Sequence, residues 1–412
     1  MQNTNVPKGW NIKSMGDCFR FLRTKSFSRA ETECSGDVKY VHYGDIHTKY
    51  PLIISPKEID LFISTEQAIN ADLLRSGDLI LLDASEDYEG TTKCIELSNV
   101  SPEDKIVSGL HTMALRDDHG VFANNFKAYL TSMPYVKQNF WKQISGVKVY
   151  GISKDNLKKI KVLVPPIEEQ KKIAEILGTW DRAIEELSDL ITEKKELKRG
   201  LMQKLLTGTQ RLPGFTKPWK KIKLSDVLEE CVETTTTNNQ YEILTSSRRG
   251  IFRQEDYFDK QVASQDNIGY KIIRNGDFTY RAMTDDDKFC FNQLTDFEIG
   301  IVSPAYAVFR TKKIPGNILK FILNSERFGY ELLKEAQGGT RKSLKYNSLI
   351  KLQIYVPDDE EEMARLSECL HIADSEIDLL NQQLDVLQEQ KRGLMQKLLT
   401  GEIRVKVDTE TC

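Results

Sequence analysis

The chain has 412 residues, of which 58 are Lys or Arg and 61 are Asp or Glu, giving a formal net charge of −3 at neutral pH. Hydrophobic residues make up 40% and charged residues 29%, as in a soluble protein with a highly charged surface. The weak net charge excludes a strong general attraction for nucleic acid. No run reaches the ~18 consecutive apolar residues of a membrane span, so we expect no membrane association.

The start of the chain and its cysteines predict a compartment. The first ten residues, MQNTNVPKGW, contain no apolar segment of the kind found in secretory signals. The seven cysteines are scattered singly, without a C-x-x-C pair. We therefore expect a cytoplasmic protein with reduced thiols.

An exact internal repeat predicts the architecture. The eleven residues KRGLMQKLLTG occupy positions 198–208 and again 391–401, a spacing of 193 residues. The same spacing relates Asp181 to Asp374 and Lys127 to Lys320. Internal repeats at a fixed spacing indicate duplicated structural units. The sequences between these positions differ strongly, so a scaffold is repeated and its inserts are not.

Two stretches predict globular domains of the α+β class. Short apolar runs broken by Gly, Asp and Ser predict a small sheet with helices in residues 1–164, and residues 209–357 have the same character. The fragment R-S-G-D at 75–78 in the first stretch corresponds to R-N-G-D at 274–277 in the second.

Each globular stretch is followed by a long amphipathic pattern. After Pro165 and Pro166, apolar residues recur every three or four positions through residues 165–208, and a second such pattern covers residues 358–404. Helices of ~40 residues with this spacing are typical of coiled coils. Connectivity predicts that the two helices pack antiparallel, with pseudo-twofold symmetry and a globular domain at each end. Residues 405–412 remain as a tail.

Motifs for catalysis are not found. GGTRKS at 338–343 lacks the spacing of a phosphate-binding loop, and Val164 precedes Pro165-Pro166 where an amino-methyltransferase motif needs Asn or Asp. His42 and His47 are poorly spaced for a metal, and Asp285–Asp287 is most simply a solvated loop. We therefore predict no catalytic residue and no metal site.

Clusters of basic residues near aromatic residues are the strongest binding signal. Arginine supplies bidentate contacts to guanine and to phosphate. Such runs are equally typical of solvated surface, and the sequence favours neither interpretation. As candidate DNA-binding residues we select Arg20, Arg23, Lys25, Arg29, Arg248, Arg249, Arg253, Arg281, Arg341, Lys342 and Lys345.

The chain resembles the specificity (S) subunits of type I restriction-modification systems over essentially its whole length. The resemblance rests on ISKDNLKKIKVLVPPIEEQKKIAEIL from Ile152, on the duplicated KRGLMQKLLTG, and on YEILTSSRRGIFRQEDYF with NGDFTYR in the second half. It implies two target recognition domains, residues 1–164 and 209–357, each reading one half of a split asymmetric site in double-stranded DNA.

The resemblance also implies partners and cofactors. The helices would set the spacing between the half-sites and dock two modification subunits, and two restriction/translocase subunits would join them. S-adenosylmethionine, ATP and Mg are then expected on those partners and not on this chain. The second helical pattern begins with PDDEEEMARL in place of PPIEEQKKIAEI, so the two docking surfaces should be similar but not identical.

The repeat itself predicts contact residues for the partners. Gly200 and Gly393 lie within strongly helical sequence, where Gly costs ~1 kcal/mol relative to Ala. A glycine in both copies suggests close approach of another chain, although a tolerated weak position would explain it equally well. As candidate partner-binding residues we select Gly200, Leu201, Leu205, Gly393, Leu394 and Leu398.

Three other interpretations remain. A coiled-coil adaptor that never touches DNA would explain the helices but not the basic inserts. An enzyme with an unrecognised site is disfavoured by the missing nucleotide, methyl-donor and metal motifs. A recognition component of another restriction class with the same scaffold is not separable from type I by sequence.

Overall fold

The computed structural model describes residues 6–258, 266–338 and 341–407, and in it the chain forms two compact units. Unit 1 consists of Met1–Glu186 and Leu384–Cys412, and unit 2 of Leu187–Gln383. Each unit therefore contains one globular domain and one half of each long helix. Most of the predicted tail, residues 408–412, lies outside the described residues.

The globular part of unit 1 is a mixture of short strands and short helices. Its strands are β1 (Asn11–Ser14), β2 (Arg20–Phe21), β3 (Val38–Val41), β4 (Ile53–Ile54), β5 (Phe62–Ile63), β6 (Leu79–Leu82), β7 (Ala84–Ser85), β8 (Cys94–Leu97), β9 (Ile106–Ser108), β10 (Thr112–Arg116), β11 (Tyr150–Gly151) and β12 (Lys161–Val164). Its helices are α1 (Met15–Cys18), α2 (Tyr43–Thr48), α3 (Pro134–Gln143) and α4 (Lys154–Lys159), with 3-10 turns at Arg29–Glu31, Pro56–Glu58, Gly90–Thr92 and Lys127–Ser132. The first long helix, α5 (Ile167–Leu205), follows β12.

The globular part of unit 2 has the same character. Its strands are β13 (Lys220–Lys223), β14 (Leu228–Glu230), β15 (Leu244–Ser247), β16 (Gly250–Arg253), β17 (Lys271–Arg274), β18 (Phe278–Arg281), β19 (Met283–Thr284), β20 (Asn292–Gln293), β21 (Ile299–Val302), β22 (Tyr306–Thr311), β23 (Lys342–Ser343) and β24 (Gln353–Val356). Its helices are α6 (Gln254–Tyr257), α7 (Gly316–Leu323), α8 (Glu326–Glu335) and α9 (Tyr346–Leu349), with a 3-10 turn at Leu224–Asp226. The second long helix, α10 (Glu360–Thr400), follows β24.

The two units have sheets of similar arrangement. The main sheet of unit 1 has the order β2-β10-β6-β8-β4, and that of unit 2 has the order β14-β22-β18-β20. In each unit the first strand pairs antiparallel with the strand that leads into a long helix, β1 with β12 and β13 with β24. The predicted α+β class with a repeated scaffold is thus confirmed.

The repeated R-x-G-D fragment forms the same turn in both units. The glycine has a φ of +86° in each copy, a conformation that side chains other than glycine rarely adopt. The aspartate that follows, Asp78 or Asp277, accepts a hydrogen bond from the backbone N–H three residues earlier. It also pairs with an arginine of the neighbouring strand, Arg116 or Arg310. The fragment therefore has a structural role.

The long helices run antiparallel within each unit. In unit 1, Asp181 of α5 pairs with Lys391 of α10, while the earlier Glu169 pairs with Arg404, which follows α10. In unit 2, Lys198 pairs with Asp374 and the later Arg211 pairs with the earlier Glu362. The predicted antiparallel course is confirmed by these pairs.

A buried glutamate anchors each helix start to its globular domain. Glu169 is 6% exposed and accepts a hydrogen bond from the indole N–H of Trp10 at 2.7 Å. Glu362 is 1% exposed, accepts hydrogen bonds from Nε and Nη2 of Arg211 at 2.6 Å each, and lies 3.4 Å from the indole nitrogen of Trp219. A carboxylate in the first turn also interacts favourably with the helix dipole.

The hydrophobic cores extend from the sheets to the long helices. In unit 1 the core packs Phe126 and Tyr129 against Ile173 and Leu177 of α5 and Leu398 of α10. In unit 2 the aromatic cluster of Phe278, Phe291 and Phe309 belongs to the same core as Leu205 and Leu366. Burial of apolar surface thus fixes each helix half on its domain. Among the described residues, no helix is both long enough and apolar enough to cross a membrane.

An ion pair inside unit 1 has no equivalent among the described residues of unit 2. Lys127 and Glu96 are 2% and 0% exposed, with Nζ 3.0 Å from Oε1. Burial raises the pKa of Glu96, while Lys127 and the backbone N–H groups of Asn125 and Ala128 act in the opposite direction. Lys320, the counterpart of Lys127 at the repeat spacing, is exposed.

This difference predicts unequal effects of the same substitution. Lys127→Met should lower the free energy of unfolding by ~3–5 kcal/mol, because it leaves a carboxylate buried without its counter-charge. Lys320→Met, the matched control, should change it by less than ~0.5 kcal/mol. Urea unfolding of the two variants measures both effects. Equal losses of stability would show that Glu96 is accommodated without Lys127.

Candidate DNA-binding and partner-docking surfaces

The predicted basic segment of unit 1 is a surface loop whose arginines are paired. Arg20 binds Asp118 through Nε at 2.5 Å, and Arg23 binds Asp72 through Nη2 at 2.9 Å. Arg23 lowers the pKa of Asp72 to about 2, mainly through this hydrogen bond. Lys25 has no side-chain partner among the described residues.

Aromatic residues of this loop have an anchoring role. Phe21 and Phe27 are half-buried and pack against hydrophobic clusters of unit 1. The backbone N–H and C=O of Phe27 both bond to the hydroxyl of the buried Tyr40, each at 2.9 Å. The arginines of this loop are thus exposed, and the phenylalanines between them hold the loop in place. Arg29, at the end of the loop, pairs with the buried Asp45.

In unit 2, Arg248 and Arg249 occupy the tip of the hairpin formed by β15 and β16. Both side chains are exposed. Arg249 lies over the rings of Phe252 and Tyr257, at 5.6 Å and 5.3 Å from their centroids. Cation–π contacts of this kind fix a guanidinium in direction while leaving its donors accessible. Arg248 pairs with Asp286.

The acidic run Asp285–Asp287 connects two basic segments. Asp286 pairs with Arg248 of the hairpin tip, and Asp285 pairs with Arg341 at 2.7 Å. The strand before the acidic run, β19, and the strand after Arg341, β23, form a two-stranded ribbon. The tripeptide is therefore part of a mixed-charge surface that brings Arg248, Arg249 and Arg341 into one region.

The remaining basic candidates of unit 2 lie around this region. Arg253 lies at the other end of β16, over the ring of Phe297, and Lys342 donates to the carbonyl of Gly338 at 3.0 Å. Arg281 ends β18, and Lys345 precedes α9. Both are exposed and have no side-chain partner among the described residues.

Each unit has a groove along its pair of helix halves, and the two grooves have corresponding linings. The groove of unit 1 has a volume of about 320 Å³, and that of unit 2 about 1120 Å³. The lining of the first is Asp181, Ile184, Gln388, Lys391, Arg392 and Met395. The second includes Asp374, Ile377, Lys195, Lys198, Arg199 and Met202, and it extends beyond the long helices to Arg248 and Arg249 of the hairpin tip and to the start of α8. All six positions correspond at the repeat spacing of 193 residues, and only Gln388 and Lys195 differ in type.

The lysines that interrupt the apolar pattern of the helices bind across the helix pair. Lys198 contacts Asp374, and Lys391 contacts Asp181, with 15–33% of these side chains exposed. Lys194 adds a contact to Glu376 at 2.5 Å. For Lys198 and Lys391, the sequence signal of this pairing is the aspartate repeated at the same spacing, Asp374 and Asp181.

The candidate partner-binding residues divide into exposed and buried ones. A methyl group added at Gly200 or Gly393 would meet no atom within 4 Å, so both glycines face open space. Leu201 and Leu394 are partly buried against the cores. Leu205 and Leu398 are 4% and 2% exposed, because they pack inside the cores of their own units. Their burial leaves little side-chain surface for a partner, and their role in partner binding stays a prediction.

Histidines and acidic residues have structural roles in the described part of the chain. His42 caps α2, where its Nδ1 accepts a hydrogen bond from the N–H of Gly44 at 3.1 Å. Among the described residues there is no group of three His, Cys, Asp or Glu side chains placed to hold a metal ion.

Comparison with known proteins gives the same class as the repeat and the fold. Residues 7–198 match the family described as the type I restriction modification DNA specificity domain. The chain is 25% identical to the type I restriction enzyme MjaVIII specificity subunit of Methanocaldococcus jannaschii, covering 98% of this chain and 96% of that protein.

Solved structures are similar along the whole chain. The S subunit of a type I restriction-modification system from M. genitalium superposes with a TM-score of 0.58 at 10% identity, covering 97% of both chains. A chain from a structure on complex assembly and conformational transition of a type I system gives a TM-score of 0.58 at 16% identity, covering 97% of this chain and 100% of that one. At these identities the likeness supports the fold alone.

The repeated scaffold with two α+β domains is thus the fold of the solved specificity subunits. The match of residues 7–198 and the relative of the same description agree with the resemblance seen in the sequence.

The repeated lysine–aspartate pairs predict equal coupling in the two units. Double-mutant cycles on Lys198 with Asp374 and on Lys391 with Asp181 should each give a coupling of ~1 kcal/mol, because partly buried pairs are less screened by water. The exposed pair of Lys171 with Glu168, the control, should give ~0.3 kcal/mol. Urea unfolding measures all three, and a coupling near zero in either unit would contradict the shared role.

Proposed function

We propose that this chain is the DNA-specificity subunit of a type I restriction-modification complex and has no catalytic activity of its own. Each globular domain reads one half of a split asymmetric DNA site. The two long helices set the distance between the half-sites and dock the modification subunits. The protein acts in the cytoplasm on double-stranded DNA.

The observation that carries this proposal is the contrast between the helix grooves and the basic surfaces. The six helix positions that line the groove of unit 1 recur in the larger groove of unit 2, which suits two copies of one partner. The basic surfaces differ: a loop anchored on Tyr40 in unit 1, and a hairpin tip with a ribbon in unit 2. A scaffold whose docking surfaces are similar in sequence and whose DNA-facing surfaces differ suits an asymmetric DNA site. Symmetric dimers, by comparison, suit palindromic sites.

The proposed partners are two modification subunits and two restriction/translocase subunits. S-adenosylmethionine would be held by the modification subunits, and ATP with Mg by the translocase subunits. A protein adaptor that does not touch DNA would also use the grooves. That alternative does not explain the cation–π contacts of Arg249 or the exposed side chains of Arg281 and Lys345, which are unpaired within the described part of the chain.

Exchange of the first globular domain tests the division of the site. Replacing residues 1–160 with the corresponding domain of a relative should change one half of the methylated motif and leave the other half unchanged. Sequencing of methylated host DNA gives the motif. A change in both halves, or in neither, would contradict the model of two independent readers.

The hairpin tip provides a test that does not depend on a domain exchange. Arg248→Ala with Arg249→Ala should weaken DNA binding by the assembled enzyme and reduce the slope of log affinity against log salt by about 1–2, because up to two phosphate contacts are lost. Lys312→Ala with Lys313→Ala removes the same charge from another part of unit 2. This control should leave affinity nearly unchanged. Equal effects of the two double variants would show that Arg248 and Arg249 contribute only as general surface charge.

The glycines of the repeat test the docking surface. Gly200→Ala with Gly393→Ala should stabilise the helices by ~1 kcal/mol per site, because the added methyl groups meet no atom of this chain. Binding of the modification subunits should weaken, because those methyl groups would occupy space needed by the partner. Analytical ultracentrifugation of the mixed subunits measures the assembly.

A third helical glycine gives the matched control. The nearest atom to an added methyl at Gly178 is Nη1 of Arg182 at 3.8 Å, and position 178 lies outside the exact repeat. Gly178→Ala should therefore stabilise α5 in the same way without affecting assembly. Normal assembly of the Gly200 and Gly393 double variant would show that the repeat glycines are not contact points.

A further inference from the structure

Arg29 differs from the other arginines of its loop in what it is bound to. Its Nη2 donates to Oδ1 of Asp45, which lies in the first turn of α2. The Arg29 side chain is 55% exposed, whereas that of Asp45 is 5% exposed. A buried carboxylate therefore holds a guanidinium that is itself more than half exposed to solvent.

The backbone around Arg29 is also fixed. Ser28 and Glu31 form a capping box, in which Glu31 accepts from the N–H of Ser28 at 2.8 Å. The carbonyl of Arg29 accepts a hydrogen bond from the hydroxyl of Thr32 at 2.8 Å. Two residues before Arg29, Phe27 is bonded to Tyr40 at both its N–H and its C=O. An arginine held in this way loses little conformational entropy when it binds a ligand.

The donors that remain on Arg29 are accessible. Arg20 and Arg23 each use both Nε and Nη2 on one exposed or half-exposed aspartate. Arg29 uses Nη2 alone, and its Nε and Nη1 have no partner among the described residues. Arg29 thus keeps one more N–H donor free than Arg20 or Arg23 does.

The charge around Arg29 favours a neutral ligand over a phosphate. The Asp45 carboxylate cancels the charge of the guanidinium at short range, so a phosphate would gain little from electrostatic attraction. The nearby Lys49 is itself paired with Asp60 at 2.6 Å. A guanine edge is uncharged and offers the two acceptors O6 and N7, which match the arginine fork.

One oxygen of the Asp45 carboxylate lacks a hydrogen bond. Its second oxygen, Oδ2, is buried and has no hydrogen-bond partner in the described structure. Buried carboxylates normally satisfy both oxygens. Here Oδ1 carries the only side-chain hydrogen bond of Asp45 among the described residues, the one from Arg29.

We propose that Arg29 reads a guanine in the half-site bound by unit 1, and that Asp45 is the positioning residue that directs it. This inference rests on the proposed function. Arg29 contacts the base, and Asp45 acts only through Arg29. Lys25, with no side-chain partner among the described residues, contacts the phosphate backbone.

The experiment uses the full chain assembled with its modification subunits. The probes are the duplex identified by sequencing methylated host DNA and the duplexes that carry every single base-pair substitution in the half-site of unit 1. Arg29→Lys keeps the charge opposite Asp45 but removes the fork. It should reduce the preference for one G·C pair by about 10- to 100-fold and leave the other positions and the second half-site unchanged.

Two further variants separate reading from positioning. Asp45→Asn keeps the shape of the side chain and should reduce the preference at the same base pair, by less than Arg29→Lys does. Lys25→Ala, the control, should weaken binding to all duplexes equally and reduce the salt slope by about 1. The double variant Arg29→Gln with Asp45→Asn removes the buried charge together with its counter-charge, so it gives the same measurement if a single variant fails to fold.

The outcomes are distinct. Uniform weakening by Arg29→Lys with a reduced salt slope would make Arg29 a phosphate contact and overturn the proposal. A lower melting temperature with unchanged base preference would make Arg29 only the counter-charge of Asp45, which also overturns it. If the wild-type complex methylates no split motif, the proposed function fails first, independently of Arg29.

Discussion

The ion pair between a lysine and an aspartate of the two long helices, formed once in each unit, is the contact on which the arrangement of each helix half depends. Asp181 binds Lys391 and also accepts a hydrogen bond from the hydroxyl of the buried Tyr129 at 2.6 Å. It therefore joins both helices to the globular domain. In unit 2, Lys198 binds Asp374 and lies 5.5 Å from the ring centroid of Phe321 in α7. Charged pairs at fixed positions in an apolar pattern specify register, because a shifted helix would leave the charges unpaired.

The same constraint explains why the helix halves repeat while the domains differ. The apolar residues of α5 and α10 bury area, and hydrophobic burial is not directional. The pairs at Asp181 and Asp374, together with the buried Glu169 and Glu362, supply the direction. These polar contacts all recur at the repeat spacing. Loops beyond this frame, such as the one that ends at Arg29, contact only their own domain and are free to differ.

The sequence predicted the features that depend on periodicity and repetition. The helix bounds were predicted within a few residues, since Pro165, Gly208 and the apolar spacing mark them. The antiparallel course followed from connectivity. The roles of Lys194, Lys198 and Lys391 were missed, because a lysine in an apolar pattern has no visible partner until the second helix is placed beside it. The packing of Leu205 and Leu398 inside their own units was missed for the same reason, since an apolar position on a helix does not reveal which surface covers it.

The basic residues show where sequence reasoning stops. Arg20, Arg23, Arg29 and Arg248 look alike in the sequence, yet the structure gives each a different aspartate. When DNA replaces an exposed aspartate on Nε and Nη2 of Arg20 or Arg23, one partner is exchanged for another, so the net gain at that edge is small. Arg29 has one nitrogen committed to a buried carboxylate and the others accessible, so a ligand adds hydrogen bonds without displacing any. Specificity then depends less on how many arginines a domain carries than on which of them is held in place by a group that DNA does not replace.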